Sequence, residues 1–238
     1  MEPNWGRKAL AEFVGAMGLI VFGAGSVVAT ASFFDPGVAL LVRALAHGLA
    51  IAVLASAIAP ISGGQISPAV TVGLIVARKI RASTAVVVIA AQLIGSVVGA
   101  VVLLGFFSPE QVRTANLGTP SPGSGVVDST AAFVELVLTF FLVFVVFATA
   151  VDPRGAAKQV SGLAIGLTVT IDWLLGGSVT GAAMSPGRWL GPALVSYLQR
   201  VPGALDHAAV YWVGPLLGGG LAALLYATAF LPREKPTP

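Results

Sequence analysis

Ser62-Gly63-Gly64-Gln65-Ile66-Ser67-Pro68-Ala69-Val70-Thr71 is one of two short stretches that decide the fold of this chain; the other is Thr180-Gly181-Ala182-Ala183-Met184-Ser185-Pro186-Gly187-Arg188. In each, a glycine-containing run leads to a Ser-Pro pair and then to an apolar segment, residues 68–77 and 186–197. At about 1.5 Å per residue, segments of this length cross only about half of a bilayer. Serine is a favoured helix N-cap and proline a favoured first helical residue. Each stretch therefore reads as a chain that dips into the membrane, turns, and leaves as a half-helix. Irregular backbone at that depth is tolerated only where it lines a cavity or is buried in protein.

The sequence around the two stretches belongs in a bilayer. It is 56% apolar and 10% charged, with a mean hydropathy of +0.93, which sets it apart from water-soluble globular domains. Six windows are long enough to span the hydrocarbon: about 9–32, 38–59, 83–107, 129–150, 159–177 and 208–231. Inside them the charges are Glu12, Arg43, Glu135 and Asp172. The first window runs on without a small-residue cleavage site, so it reads as a retained span and not as a signal peptide. There is no cysteine, which excludes disulfides, thiolate metal sites and cysteine nucleophiles.

The isoelectric point near 9.6 does not point to nucleic acid, because the basic residues sit at span ends. Arg7, Lys8, Arg78, Lys79, Arg81, Arg154, Lys158, Arg233 and Lys235 fall on one side, against Arg113 and Arg200 on the other. By the positive-inside rule both termini are cytoplasmic, and the expected location is the plasma (inner) membrane.

The half-helices occupy matching places in two halves of the chain. Ile66-Ser67-Pro68-Ala69 is answered by Met184-Ser185-Pro186-Gly187, and Ala11-Glu12-Phe13-Val14 by Val134-Glu135-Leu136-Val137. Three spans separate the copies, so the second half is inverted in the membrane, which brings both loops to the midplane. The chain thus reads as a single domain of two inverted repeats, about 7–107 and 128–232, joined by an external linker over 108–127 rich in Pro, Gly, Ser and Thr. Small residues four apart, Gly95 and Gly99, Gly162 and Gly166, and Gly214 and Gly218, suit close helix crossings.

These motifs together resemble the aquaporin, or major intrinsic protein, superfamily. The two quoted stretches are similar to its paired Asn-Pro-Ala loops, and the likeness extends through Ala11-Glu12-Phe13, Gln92, Glu135 and Tyr211-Trp212-Val213-Gly214-Pro215. The resemblance implies an all-α membrane protein of six transmembrane helices and two re-entrant half-helices in a right-handed bundle, assembled as a homotetramer. Its activity would be passive passage of water or another small uncharged solute, with ions and protons excluded. No catalytic residue, cofactor, metal or nucleic-acid partner is implied; the partners are the solute and the lipid bilayer.

By this likeness the central pore motif is Ser67, Pro68, Ala69, Ser185, Pro186 and Gly187, with serine standing where the family carries asparagine. A serine oxygen that caps its half-helix keeps its hydroxyl hydrogen for the pore, one donor in place of an amide's two. Both half-helix N-termini would aim roughly half a positive charge at the centre and repel cations. The outer selectivity filter maps to His47, Trp173, Ala182 and Arg188, and Glu12 and Glu135 would accept the backbone N–H groups of the re-entrant loops. Arg43 and Asp172, at similar depth, are expected to form a charge pair, with His47 as a second partner for Asp172. Tyr211-Trp212 and Ala193 resemble water channels, whereas Trp189 departs from both water and glycerol channels. Ammonia, urea, hydrogen peroxide or an undissociated acid stay open as solutes, and a proton-coupled transporter is the alternative of another class.

Overall fold

The computed structural model describes residues 4–33, 35–155 and 160–232. Lys158, Arg233 and Lys235, which entered the charge count, lie outside them. The described residues contain helices and no strands.

Among the described residues, six long helices are interspersed with three short ones. In chain order they are α1 (Trp5–Ala29), α2 (Pro36–Ser62), the half-helix α3 (Pro68–Val76), α4 (Ala82–Leu103), a surface helix α5 (Pro109–Thr114), α6 (Asp128–Val151), α7 (Ser161–Gly176), the half-helix α8 (Pro186–Leu198) and α9 (Ala208–Phe230). Five of the six are long and apolar enough to cross a bilayer; α7, with 16 residues, is shorter. Their ends follow local chemistry. Asp35 caps α2 by accepting from the N–H groups of Gly37 and Val38, with Pro36 at the first helical position. Gly63, at φ +98°, closes α2 in the left-handed region that glycine adopts freely.

The outward faces carry Leu10, Phe22, Leu49, Val86, Phe133 and Ile171, all exposed, while glycines and polar groups turn inward. This is the distribution expected when the surrounding solvent is hydrocarbon. Helices cross where the sequence puts small residues: a Cβ on Gly95 or Gly99 would collide with the carbonyls of Phe13 or Met17, and one on Gly214 or Gly218 with those of Ala132 or Leu136. Thus α4 lies on α1 and α9 on α6 in matching fashion, and α2 lies on α7. Each half-helix packs against the other half of the chain, α3 on α9 and α8 on α4.

Two features depart from the expected elements. A π-helical turn, Ile20–Ala24, interrupts α1, and π-helical turns also end α6 (Phe147–Val151) and α9 (Tyr226–Phe230). The linker is more structured than its composition suggests. After α5, whose first turn is closed by a reciprocal Ser108–Gln111 capping box, a 3₁₀ turn at Asn116–Gly118 folds back against α1, with Gly118 at φ +71° and too close to the Ala24 carbonyl for a side chain.

Candidate functional site: a central pore motif and an outer constriction

The two re-entrant loops are held by two buried carboxylates. Glu12 Oε1 accepts from the Ser62 hydroxyl at 2.6 Å and the Gln65 N–H at 2.9 Å, and Oε2 from the Ile66 N–H at 2.6 Å and Gln92 Nε2 at 2.8 Å. Glu135 Oε1 accepts from the Thr180 hydroxyl at 2.7 Å and the Ala183 N–H at 2.9 Å, and Oε2 from the Met184 N–H at 2.7 Å. The bonds fall where the backbone needs them. Ile66 and Met184, each just before its serine, sit at φ +59° and +51°, a region that side chains rarely occupy. In both cases the residue held in that region donates its N–H to the carboxylate.

From these loops the half-helices start at the two serines and approach each other. Ser67 Oγ accepts from the Ala69 N–H at 3.2 Å and Ser185 Oγ from the Arg188 N–H at 3.4 Å, so both serines cap their helices through an oxygen lone pair. The tips lie close together: a Cβ built on Gly187 would lie 3.6 Å from Pro68 Cδ and 2.9 Å from Ser96 Oγ. Glycine at 187 eases the approach to α4, where a Cβ would crowd the Ser96 hydroxyl, whereas against Pro68 it would make an ordinary contact.

At the outer end, His47, Trp173 and Arg188 come together as one cluster. The His47 ring stacks on Trp173 with centroids 4.2 Å apart. Its Nδ1 lies 2.8 Å from the Arg43 carbonyl, and its Nε2 accepts from Arg188 Nε at 3.0 Å. A ring that donates from Nδ1 and accepts at Nε2 is a neutral imidazole of one tautomer. Arg188 is 2% exposed, and its Nη1 donates to the Gly118 carbonyl at 2.9 Å. Ala182, fully buried at φ +39°, lies in the second loop two residues after Thr180, whose hydroxyl accepts its N–H.

The expected Arg43–Asp172 pair does not form. Arg43 turns toward the end of α1, where its Nε donates to Thr30 Oγ1 at 2.7 Å and its Nη2 to the Thr30 carbonyl at 3.3 Å. Nor does His47 serve Asp172, since both ring nitrogens are engaged elsewhere. Asp172 is 5% exposed, and its Oδ2 has no hydrogen-bond partner among the described residues. Equal depth in the membrane fixes height but not the rotational face of a helix, and Arg43 finds a nearer acceptor.

Several contributors had no mark in the sequence. Gly118 supplies the carbonyl for Arg188 from within a stretch that reads as a polar linker. Tyr211 and Trp189, read as solute indicators, stack on each other at 6.0 Å, and the Tyr211 hydroxyl donates to the Thr180 carbonyl at 2.7 Å. They stiffen the second loop from behind.

Half-helices whose tips lie close together inside a ring of spans, under a buried arginine, define a multi-pass integral membrane protein of channel type. The chain belongs to the major intrinsic protein family, whose match covers residues 2–226. It is 41% identical over 240 residues to Aquaporin TIP4-4 of Zea mays, covering 98% of this chain and 90% of that protein. To Probable aquaporin TIP3-2 of Oryza sativa subsp. japonica it is 40% identical over 242 residues, covering 100% and 86%. The same fold occurs in the aquaglyceroporin from Plasmodium falciparum, with a TM-score of 0.87 at 23% identity over 95% of this chain and 97% of that one. The protein is accordingly a channel for water or small neutral solutes and not an enzyme.

Proposed function

We propose that water itself is the principal solute, that it passes through the single subunit between the half-helix tips, and that ions and protons are excluded. The observation that carries this reading is the closeness of the two half-helix starts, where a Cβ built on Gly187 would lie 3.6 Å from Pro68 Cδ, which brings the positive ends of α3 and α8 to one region. Each end contributes roughly half a positive charge there, in a setting with little water to screen it. Because that barrier comes from the backbone, serine in place of asparagine leaves it standing, while the Ser67 and Ser185 hydroxyl hydrogens offer one donor each to a passing water.

In this reading His47, Trp173, Ala182 and Arg188 form the narrow outer filter. The stacked rings of His47 and Trp173 supply bulk on one side, and Arg188 supplies the charge. Ser67, Pro68, Ala69, Ser185, Pro186 and Gly187 form the central constriction. Glu12 and Glu135 act as structural acceptors and not as a proton relay, since their oxygens are taken up by fixed donors. The two halves, about 7–107 and 128–232, form one inverted-repeat channel domain, with both termini cytoplasmic and four copies in the assembled protein.

The test is stopped-flow light scattering on proteoliposomes, run in parallel with an impermeant osmolyte, glycerol and urea. Shrinkage faster than in empty liposomes, unchanged by a protonophore, with little entry of glycerol or urea, is the expected result. Rates equal to those of empty liposomes for every solute would overturn it, and a rate that collapses with the protonophore would favour coupled transport. Accessibility of single cysteines placed at Arg7 and Arg113 to an impermeant thiol reagent tests the orientation.

A further inference from the structure

Above the filter lies a cavity of about 360 Å³ lined by Arg43, Arg188, Trp173, Asn116, Thr119 and Ser121, among others, with no carboxylate in its wall. Two guanidinium groups therefore line one small space, and the buried Glu135 carboxylate, whose charge acts on Arg188, stands outside its wall. Arg43 spends Nε and Nη2 on Thr30, and Arg188 spends Nε and Nη1 on His47 and Gly118. The Nη1 of the first and the Nη2 of the second make no hydrogen bond to the described residues. Trp173, 3% exposed, has an indole N–H without a partner among the described residues, as does the Thr119 hydroxyl. Asn116 Oδ1 is also unpartnered, and half a turn of its amide offers the Nδ2 donor instead.

We propose that this outer cup binds a small oxyanion from solution, of the phosphate or carboxylate class, and that the bound anion stops permeation. A cation needs negative charge, and this wall holds two guanidinium groups and no carboxylate. An anion with three or four oxygens answers both guanidinium groups in charge-assisted bonds, and the indole N–H and the hydroxyl, which are sealed from the open cavity, would reach it only after a small side-chain shift. Placed over Arg188, it stands in the way of a solute entering the filter from that side. The proposal goes beyond the solute assignment, and its transport readout rests on the channel reading.

Water permeability of phosphatidylcholine proteoliposomes is measured with inorganic phosphate on both sides, ionic strength being held with bulky gluconate. The expected result is a saturable fall in each protein's own uninhibited rate. For Arg43→Met the half-inhibiting concentration should rise roughly tenfold, as loss of one of the two charges that line the cup implies, and Arg43→Lys should lie between the two. Calorimetric titration of the detergent-solubilised protein with phosphate should give the same order of affinities. The uninhibited rate reports on the channel reading, and the titration decides the anion site even where no transport is seen. No binding by calorimetry, or equal inhibition of wild type and Arg43→Met, overturns the proposal. Inhibition by phosphatidylglycerol vesicles with no response to phosphate would assign the cup to a lipid headgroup and overturn it as well.

Discussion

The two re-entrant loops begin from the same plan and end differently. Both hang from a buried glutamate, both hold a non-glycine residue in the left-handed region just before a serine cap, and both continue into a half-helix. The first loop is closed on itself: Glu12 takes four donors, including Gln92 from α4, and Thr71 ties back to Gln65 at 2.7 Å. The second has three donors on Glu135, a longer half-helix, and Arg188 three residues after its serine, where the first loop has Val70. One copy of the motif carries an apolar side chain at the third place after its serine, and the other carries a buried guanidinium there.

Removing the carboxylates should have the largest effect. Glu12→Leu strands four donors and Glu135→Leu three, at about 1–3 kcal/mol for each unsatisfied buried group. Both variants should lose permeation, and thermal unfolding in detergent should fall further for Glu12→Leu; a larger fall for Glu135→Leu would break the comparison. Next comes Arg188→Val, which gives the second loop the residue of the first. Urea and glycerol should then enter several times faster than in the wild type, with folding retained, whereas Val70→Ala should leave both solutes unchanged.

Gln92→Leu makes the first brace resemble the second by deleting its fourth donor. It should lower stability by about 1–2 kcal/mol, read as a shift in the unfolding midpoint, with water permeability preserved. The smallest effect belongs to the end of α6, where Asp152 receives Arg154 Nη2 at 2.7 Å and the Tyr226 hydroxyl at 3.1 Å. Arg154 holds that carboxyl well below the usual carboxylate range. A depressed value means that the stabilisation is complete above the unfolded pKa, about 3.9, and fades only as pH falls through the lower folded value. The difference in unfolding midpoint between wild type and Asp152→Asn should therefore be constant from neutral pH to about pH 4 and close only in stronger acid.

Much of this was legible because a half-helix in a membrane leaves few alternatives. Ser-Pro starts too short to span, Gly-rich approaches and a glutamate at the same place in each half carry their own physical reasons. What could not be read depends on rotation and on contacts distant in the chain. Arg43 and Asp172 match in depth, yet the face each presents follows from packing, and Thr30 was the nearer acceptor. Gly118 sits among Pro, Gly, Ser and Thr, a composition that reports a loop and says nothing of a carbonyl aimed at residue 188. Trp189 was visible as a departure and Tyr211 as a water-channel likeness, but their stacking behind the second loop needed coordinates.

Because α3 rests on α9 and α8 on α4, neither half of the chain is a finished object. A ribosome that has released the first three spans has made a nine-residue helix whose seat is not synthesised until the last span emerges. The dipped segment must wait, shielded by the insertion machinery or by early neighbours, so assembly ends with the C-terminal helix. Truncations that spare every pore residue but remove α9 should therefore yield a chain that inserts and is then cleared by quality control.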